Sequence, residues 1–443
     1  MPEASRASSI AGPRASAMTF ADPQATQDAD VVVVGAGPGG SSAATFLARQ
    51  GLDVLLLEKS EFPREKVCGD GLTPRTVRML GRLGIDTSPS SGWVRNKGLR
   101  IHGGRTEPFT MAWPELTAFP DFGLVCPRSV FDDLLAGTAV QAGARLHTGV
   151  RVSAPIVDDR SGRVVGVTDA RGREYRAPIV VACDGVSSRL AEATGRTRLA
   201  KRPLGVAVRS YYTSPKSDME WIESYLELWD GKPGESNLLP GYGWVFGLGD
   251  GSANVGLGML DSSKAFGKTD YRQLMRTWLD NTPEEWGFRE ANRLEPIRGA
   301  ALPMAINRAP LYRDGLMLVG DSAGMVNPFN GEGISYAMES AEMAARAIVD
   351  ARARGFGSPG AELAFQSYPN QVKQAWGGYY RLGTVFVQLI GRPEIMHLCV
   401  TYGLPRKHLM YLVHKLLAHL TDEPPADLSD RLIALMSRVA PST

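Results

Sequence analysis

Three glycines follow a short apolar run near the amino end of the chain. The run Val31–Val34 is continuous and β-branched, as expected of a parallel strand buried on both faces. Of the glycines that follow, Gly35 would make a tight turn, Gly37 would let backbone approach a pyrophosphate, and Gly40 would let a helix pack closely on the strand. The spacing therefore predicts a dinucleotide phosphate site at the start of a helix.

A second strand and an acidic residue complete this unit. The helix is predicted to run through about Gln50, the strand Val54–Leu57 follows, and Glu58 ends that strand. A carboxylate about 20 residues beyond the loop is placed to accept hydrogen bonds from an adenosine ribose. The order of strand, loop, helix, strand and acid is much more specific than the glycines alone, but it does not separate NAD from FAD.

Two later segments predict further strands of the same sheet. Ile179–Ala182 is apolar and is followed by Asp184-Gly185, and Leu316–Val319 is followed by Gly320-Asp321. A Pro/Gly-rich loop and a long helix from about Gly333 come next. Because ligands bind at the carboxyl ends of parallel strands, the glycine loop and both aspartates are predicted to meet at one sheet edge.

An aromatic stripe lies in the second half of the chain. Tyr242, Trp244 and Phe246 occupy alternate positions, so all three share one face if the segment is a strand. The segments Tyr225–Leu228 and Ala253–Met259 are predicted to be its antiparallel neighbours. Two interpretations remain open, since the face could belong to the ordinary core or could cover an apolar ligand.

A thiol lies in the turn-rich segment KVCGDGLTPRTV, which follows the second strand. We predict a loop from Cys68 to Gly71, where Gly69 and Gly71 allow backbone to approach a ligand, and a helix beginning near Arg75. Cys68 either takes part in chemistry or fills apolar space, and the residues alone do not decide between the two.

Composition narrows the class of protein. A chain of 443 residues suggests two or three structural units, and a net charge of +2 gives no reason to expect nucleic acid. The four cysteines are scattered without a CxxC pair, and the histidines lack HExxH spacing, so neither a disulfide framework nor a metal is expected. Apolar stretches fall short of the roughly 20 residues that span a bilayer. These features favour a cytoplasmic protein, and residues 1–29 are predicted to form a disordered tail.

A basic amphipathic helix is predicted in RKHLMYLVHKLLAHL near the carboxyl end. Its apolar side is predicted to hold Leu409, Leu412, Val413, Leu416, Leu417 and Leu420. The other side is predicted to hold Lys407, His408, His414, Lys415 and His419. Such a helix either packs on its own domain or lies on an anionic membrane surface.

The three ligand segments together resemble the flavoproteins typified by aromatic hydroxylases. This resemblance implies an α/β fold with a discontinuous Rossmann-type FAD-binding domain, an antiparallel β-sheet substrate domain and a helical carboxyl-terminal region. It also implies that Asp321 contacts the ribityl chain and that the segment Gly331 to Ile334 places helix-end amides near the flavin ring. The implied cofactor-binding residues are Gly35, Gly37, Pro38, Gly40, Glu58, Gly69, Gly71, Arg128, Val152, Asp184, Asp321, Gly333 and Ile334.

Within that group, KVCGDGLTPRTV and LPGYGWVFGLGDGSANVGLG look like the geranylgeranyl reductase family, whose actinobacterial branch includes menaquinone reductases. The family has an aromatic, any residue, Trp, any residue, Phe and Pro, followed by Gly-any-Gly. Tyr242, Trp244 and Phe246 match this pattern, with Gly256 and Gly258 at the expected distance. Gly247 departs from it, because it stands where the family has Pro, and it is expected to loosen the strand end. The likeness runs from about Asp30 to Ala351.

The family resemblance implies FAD-dependent saturation of isoprenoid carbon–carbon double bonds, in the prenyl chain of menaquinone or in a geranylgeranyl group. It implies a prenyl-lipid substrate, catalytic roles for Cys68, Tyr242 and Trp244, and substrate contacts from Tyr242, Trp244 and Phe246. FAD would be reduced by NAD(P)H or another donor. If the basic amphipathic helix lies on a membrane, the protein would contact the inner face of the cell membrane. Oligomeric state is left open.

Two other functions fit parts of the pattern. An FAD-dependent aromatic monooxygenase of the same fold is the main alternative, whereas the WxWxIP signature of flavin halogenases is missing from the sequence. A prenyl-binding escort protein would not need Gly35, Glu58 and Asp321, which are all present.

Under the family resemblance, the predicted FAD-binding parts are 30–98, 122–200 and 296–350, the substrate parts are 99–121 and 201–295, and the helical region is 351–443.

Overall fold

The computed structural model describes residues 28–104, 107–263, 266–422 and 424–441. The predicted disordered tail therefore lies outside the described residues except for its last two positions. These two are attached to the fold, because Asp28 forms a bridge to Arg176 and the Ala29 N–H donates to the Arg176 carbonyl at 3.0 Å.

Ten α-helices occur in the described ranges. In chain order they are α1 (Pro38–Arg49), α2 (Pro74–Arg82), α3 (Arg128–Gln141), α4 (Arg189–Ala193), α5 (Tyr271–Asp280), α6 (Ile334–Ala353), α7 (Pro359–Ile390), α8 (Pro393–Leu398), α9 (Lys407–Ala418) and α10 (Leu428–Val439). A π-helical turn, Cys399–Gly403, follows α8.

The main sheet has six strands drawn from distant parts of the chain. Their spatial order is Tyr312–Arg313, Leu316–Leu318, Ile179–Ala182, Val31–Val34, Val54–Leu57 and Arg145–His147. All neighbouring pairs are parallel except the edge hairpin Tyr312–Arg313 with Leu316–Leu318. The four valines of the first strand are buried to 5% exposure or less, as the continuous apolar pattern requires. The predicted discontinuous parallel sheet is confirmed.

A seven-stranded sheet stands beside it. Its spatial order is Arg298–Pro303, Leu204–Thr213, Ser252–Leu260, Gly241–Gly247, Ile222–Tyr225, Gly98–His102 and Phe109–Ala112. The sheet is antiparallel apart from one parallel pair, Ile222–Tyr225 with Gly98–His102. The predicted strand Tyr225–Leu228 is wrong, because the strand ends at Tyr225 and Leu228 pairs with Leu239 in a separate ribbon.

Three smaller sheets complete the strand structure. They are Glu174–Arg176 with Val164–Asp169 and Val152–Val157, Gly71–Leu72 with Gly123–Val125 and Val94–Asn96, and Leu228–Trp229 with Leu238–Leu239. The largest apolar core joins the main sheet to α1, α6 and α7, and a second core packs α5 against the seven-stranded sheet.

The predicted domain boundaries stay a prediction. The strand Arg298–Pro303, just after the boundary proposed at 295, pairs within the seven-stranded sheet.

The carboxyl-terminal helix α9 forms where the periodicity predicts it, but the faces are wrong. His414 and Lys415, placed on the polar side, are buried to 3% and 0% exposure, whereas Leu409 is 41% exposed. The Lys415 ammonium is buried because it pairs with Asp427 at 2.9 Å and with Asp430 at 2.6 Å. Among the described residues, no helix combines the length and apolarity that crossing a membrane requires.

Candidate active site

The glycine loop is shaped by close backbone contacts. Gly35 has φ +96°, and a Cβ there would stand 2.4 Å from the Cys183 carbonyl oxygen. A Cβ on Gly40 would meet the Gly35 carbonyl oxygen at 1.7 Å, so α1 packs directly on the turn. Around Gly37, in contrast, the nearest atom to such a Cβ is Arg64 Nη2 at 3.5 Å. The start of α1 is therefore open toward a cavity that Gly35, Gly37 and Pro38 line.

Glu58 is fixed beside this loop. Its Oε2 accepts the Ala36 N–H at 2.9 Å, its Oε1 accepts the Ser60 N–H at 3.1 Å, and Arg64 Nη2 lies 3.6 Å from Oε2. The residue is 4% exposed and lines the same cavity. A carboxylate held in this way is preorganised to accept hydrogen bonds from ribose hydroxyls.

The two aspartates from the later strands reach the cavity as well. Asp184 Oδ1 is buried and has no hydrogen-bond partner among the described residues, and burial raises the pKa of this carboxyl. Asp321 lies in a short 3-10 turn, Gly320–Ser322, and is close to the start of α6, since a Cβ on Gly333 would stand 3.3 Å from Asp321 Oδ1. An unpartnered buried carboxylate oxygen and an open helix start fit a ligand that carries hydroxyls and phosphates.

Arg128 begins α3 and lines the cavity, but much of its guanidinium is committed to another residue. Its Nε and Nη2 donate to the two oxygens of Asp132 at 2.7 and 2.9 Å. Burial alone would lower the pKa of Arg128, but Asp132 and the nearby Cys68 side chain outweigh burial and raise it. The thiol of Cys68 thus faces a permanent positive charge.

The loop from Cys68 to Gly71 packs against the aromatic stripe. A Cβ on Gly69 would lie 2.7 Å from the Phe246 ring and 3.3 Å from Trp244 Nε1, and one on Gly71 would lie 3.1 Å from Phe246. Both glycines line the cavity. The two glycines therefore allow the aromatic rings to pack closely against the loop. This role was not predicted from the sequence.

Asp70 occupies the centre of this loop and is fully buried. It has φ +64°, a left-handed conformation that aspartate tolerates better than most residues. Its Oδ2 accepts hydrogen bonds from the Tyr211 hydroxyl and from Asn254 Nδ2, both at 2.7 Å, and its Oδ1 accepts the Arg128 N–H at 3.2 Å. Burial raises the pKa of Asp70 to about 6, although the Tyr211 and Asn254 hydrogen bonds oppose the rise.

Asn254 links this carboxylate to the aromatic stripe. Its Nδ2 also donates to the Cys68 carbonyl at 3.0 Å, while its Oδ1 accepts the Trp244 indole N–H at 2.9 Å. The indole edge, the loop backbone and the Asp70 carboxylate are therefore held in one frame. We call Asp70, Tyr211, Asn254 and Trp244 the loop-to-strand network.

The aromatic side chains share one face of the strand Gly241–Gly247, as predicted. The Tyr242 and Trp244 ring centroids are 5.9 Å apart, and those of Trp244 and Phe246 are 6.2 Å apart. All three rings line the cavity. The Tyr242 hydroxyl donates to the Asn330 carbonyl at 2.9 Å, and burial raises the pKa of Tyr242 to about 12, with a further contribution from Cys68.

The paired glycines lie beneath two of these rings. Gly256 is the cross-strand partner of Trp244, and Gly258 is that of Tyr242. A Cβ on Gly256 would stand 2.2 Å from the Trp244 ring, whereas one on Gly258 would stand 3.5 Å from the Tyr242 ring. Gly256 therefore lets the Trp244 ring lie across the neighbouring strand, whereas a methyl group at Gly258 would make only an ordinary contact with Tyr242.

Gly247 does not loosen the strand end, contrary to expectation. It pairs with Ala253, and a Cβ there would meet the Ser217 carbonyl oxygen at 2.2 Å. A short turn, Pro215–Asp218, packs on the glycine and closes the position.

One cavity of about 1010 Å³ borders the glycine loop, Glu58, both aspartates and the three aromatic rings. Of the residues predicted for cofactor, substrate or chemistry, only Gly40 does not line it, since it packs inside the glycine turn. Several lining residues were not predicted from the sequence, namely Lys59, Arg64, Arg151, Arg189 and Glu332. The buried partners Asp70, Tyr211 and Asn254 were not predicted either. Polar residues that are far apart in the sequence form no local pattern, so their clustering in the fold could not be predicted.

The far end of the cavity is formed by the carboxyl-terminal helices. Its lining there includes Phe386, Ile390, Met396, Val400, Leu404, Met410, Val413 and Leu417. No site residue was predicted in this region, because helical periodicity does not reveal which distant surface a helix covers.

A parallel sheet with a glycine loop, a fixed acid and two aspartates at its carboxyl edge defines a flavoprotein of the FAD-binding type. The family model described as "FAD binding domain" matches residues 28–360. The chain is 34% identical over 405 residues to the menaquinone reductase of Mycolicibacterium smegmatis, covering 90% of this chain and 93% of that protein. It is 34% identical over 357 residues to the digeranylgeranylglycerophospholipid reductase of Methanocella arvoryzae, covering 79% of this chain and 83% of that protein.

Solved structures agree. A geranylgeranyl bacteriochlorophyll reductase-like protein of Thermoplasma acidophilum superposes with a TM-score of 0.72 at 25% identity, covering 92% of this chain and 99% of that one. Flavin-dependent halogenases superpose with TM-scores of 0.64 to 0.68 at 20% or 21% identity, a likeness that shows the fold alone. The chain belongs to the geranylgeranyl reductase family of FAD-dependent oxidoreductases.

Proposed function

We propose that this enzyme saturates carbon–carbon double bonds in a prenyl lipid, in the chain of menaquinone or in a geranylgeranyl group. One observation carries the proposal: a single cavity connects the glycine loop, Glu58 and Asp321 to a wall of aromatic and aliphatic side chains. Such a cavity can hold a dinucleotide at one end and an apolar chain at the other. The names of the relatives support the same substrate class.

The proposed FAD contacts follow the cavity. Gly35, Gly37 and Pro38 would receive the pyrophosphate at the start of α1, and Glu58 would receive the adenosine ribose. Additional contacts are proposed from Gly69, Gly71, Arg128, Val152, Asp184, Asp321, Gly333 and Ile334, which all line the cavity. When bound, reduced FAD supplies a hydride.

The aromatic wall would stabilise the alkene as it reacts. Saturation adds a hydride to one carbon and a proton to the other, so positive charge develops at the more substituted carbon. The ring faces of Tyr242 and Trp244 can stabilise this charge by roughly 0.5 to 2 kcal/mol each. Because its pKa is about 12, Tyr242 stays protonated at neutral pH, and its hydroxyl remains bound to the Asn330 carbonyl.

We propose that Cys68 supplies the proton. Its side chain interacts with the Arg128 guanidinium and is near Tyr242, and the residue lines the cavity. Transfer of the S–H proton would leave a thiolate beside the guanidinium, which stabilises negative charge. Proton uptake from water would then regenerate the thiol.

We further propose that the cavity mouth contacts a membrane. Leu398, Tyr402 and Leu409 both line the cavity and are exposed, by 57%, 58% and 41%. The exposed cationic side chains Arg392, Arg406 and Lys407 lie on the same segment. An apolar rim flanked by positive charge fits an anionic bilayer, from which a polyprenyl chain can enter without crossing water. We call Leu398, Tyr402 and Leu409 the rim.

The decisive experiment is anaerobic. The purified flavoprotein is reduced with dithionite and incubated with menaquinone or with geranylgeranyl diphosphate, and the products are analysed by mass spectrometry. We expect a product heavier by two hydrogen atoms for each reduced bond, with oxidised flavin appearing in step. An enzyme that consumes oxygen and NAD(P)H with an aromatic acceptor, and leaves both prenyl compounds unchanged, would contradict the proposal.

A further inference from the structure

His414 lies in a mostly apolar part of the cavity wall, where Arg406 at the start of the same helix is the nearest cation along the chain to line the cavity. It is 3% exposed and lines the cavity together with Met410, Val413 and Leu417 of the same helix. Its ring packs against Trp113, with the centroids 5.1 Å apart. The Trp113 indole N–H is already occupied, since it donates to Asn96 Oδ1 at 2.8 Å.

The imidazole of His414 has no hydrogen-bond partner among the described residues. Its Nε2 is buried and unpartnered. Burial lowers the pKa of His414 to about 4, so the ring is neutral at pH 7 and carries one N–H donor and one acceptor. A buried polar group left unpaired is unfavourable unless a bound molecule supplies the partner.

His147 provides a useful contrast. Its Nε2 is also buried without a partner among the described residues, and it packs edge-on against Tyr175. His147 does not line the cavity, however, whereas His414 does. Of these two histidines, only His414 borders the space in which a ligand would lie.

The chemistry of the wall restricts what that partner can be. A neutral imidazole beside Met410, Val413 and Leu417 suits a neutral oxygen acceptor. A diphosphate placed there would keep most of its charge uncompensated, because Arg406 lies about two helical turns before His414. A quinone carbonyl is a neutral acceptor attached directly to a ring that carries the prenyl chain.

We propose that His414 is a specificity-determining residue that donates a hydrogen bond to a quinone carbonyl oxygen of the prenyl substrate. This inference rests on the proposed function, because it requires a prenyl lipid in the cavity. It favours menaquinone over geranylgeranyl diphosphate.

The test measures binding without turnover. The oxidised holoenzyme is titrated with menaquinone carrying two isoprene units, with geranylgeranyl diphosphate, and with a prenyl hydrocarbon of matching length, and tryptophan fluorescence reports the Kd. His414→Leu should weaken menaquinone binding by about tenfold, the effect of one lost hydrogen bond, and should change hydrocarbon binding by less than about twofold. His414→Gln, which keeps a donor, should retain most of the menaquinone affinity, and His147→Gln should have no effect.

Two results would overturn the inference. One is a His414→Leu variant that binds menaquinone as the wild type does, and the other is an equal loss for menaquinone and hydrocarbon in the folded Leu and Gln variants. Failure of the proposed function looks different, because the wild type would then bind menaquinone with a His414-dependent Kd and still not saturate its chain.

Discussion

Asp70 shows how burial at one residue makes stability depend on pH. Its pKa rises from 3.8 to about 6 in the folded protein, so the folded state binds this proton more tightly than the unfolded state. Protonation of Asp70 therefore adds to the free energy of unfolding. This contribution is complete below pH 3.8 and is lost as pH rises through 6. The difference amounts to about 3 kcal/mol.

We therefore compare the free energy of unfolding of the wild type with that of Asp70→Asn. The wild-type value, relative to the variant, should fall by most of this difference of about 3 kcal/mol between about pH 4.5 and about pH 8. Denaturant titrations at each pH measure it. The control is Asp159→Asn, a change at an exposed residue. Its free energy of unfolding should depend on pH in the same way as that of the wild type. A constant difference between wild type and Asp70→Asn would show that Asp70 does not titrate in this range.

Cys68 gives a second prediction at this scale. If its thiol supplies the proton, Cys68→Ala should lower kcat by about 100-fold or more, the usual worth of a general acid. FAD content and the Kd for the prenyl substrate should stay close to wild-type values. If Cys68→Ala keeps full turnover, the residue only fills space, and the assignment of the proton is wrong.

The strand Gly241–Gly247 and its neighbour illustrate the next scale. Gly256→Ala would force a methyl group into the Trp244 ring, because a Cβ at this position would stand only 2.2 Å from it. We expect a loss of about 1–3 kcal/mol in the free energy of unfolding and a lower kcat. Gly258→Ala is a matched control two residues along, where the 3.5 Å distance is an ordinary contact. Equal behaviour of both variants would contradict the packing argument.

The pair of helices α9 and α10 depends on a buried charge. Lys415→Met would leave Asp430 buried without its cation, and breaking such a pair typically costs about 3–5 kcal/mol. The double variant Lys415→Met/Asp430→Asn should recover part of the loss, because the buried carboxylate is then removed, whereas Asp427, which also pairs with Lys415, is partly exposed. Denaturant unfolding measures both effects, and an additive double variant would show that the two residues act independently.

Sequence patterns predicted the elements better than their surroundings. The strand Val31–Val34 and the shared face of Tyr242, Trp244 and Phe246 follow from periodicity, which is a local property. The loop-to-strand network joins positions 70, 211 and 254, which are unremarkable polar residues until the fold brings them together. The buried position of Lys415 could not be predicted either, since it depends on Asp427 and Asp430 from beyond the end of its helix.

At the scale of the whole molecule, the proposed contact between the rim and a membrane can be tested by substitution. Tyr402→Glu should reduce co-flotation with vesicles rich in anionic lipid and should lower activity toward membrane-embedded menaquinone. Activity toward a short-chain, detergent-dispersed substrate should change little. Leu363→Glu is the control, because Leu363 is 70% exposed but does not line the cavity. Equal flotation of all three proteins would refute membrane contact through the rim.

The order of strands in the main sheet also constrains biosynthesis. Ile179–Ala182 finds its second neighbour only when Leu316–Leu318 has left the ribosome, well over a hundred residues later. Until then the nascent chain exposes an unpaired, fully apolar sheet edge, and such edges recruit other chains. Slow, late closure of this kind makes the yield of soluble protein sensitive to translation speed and to chaperone supply.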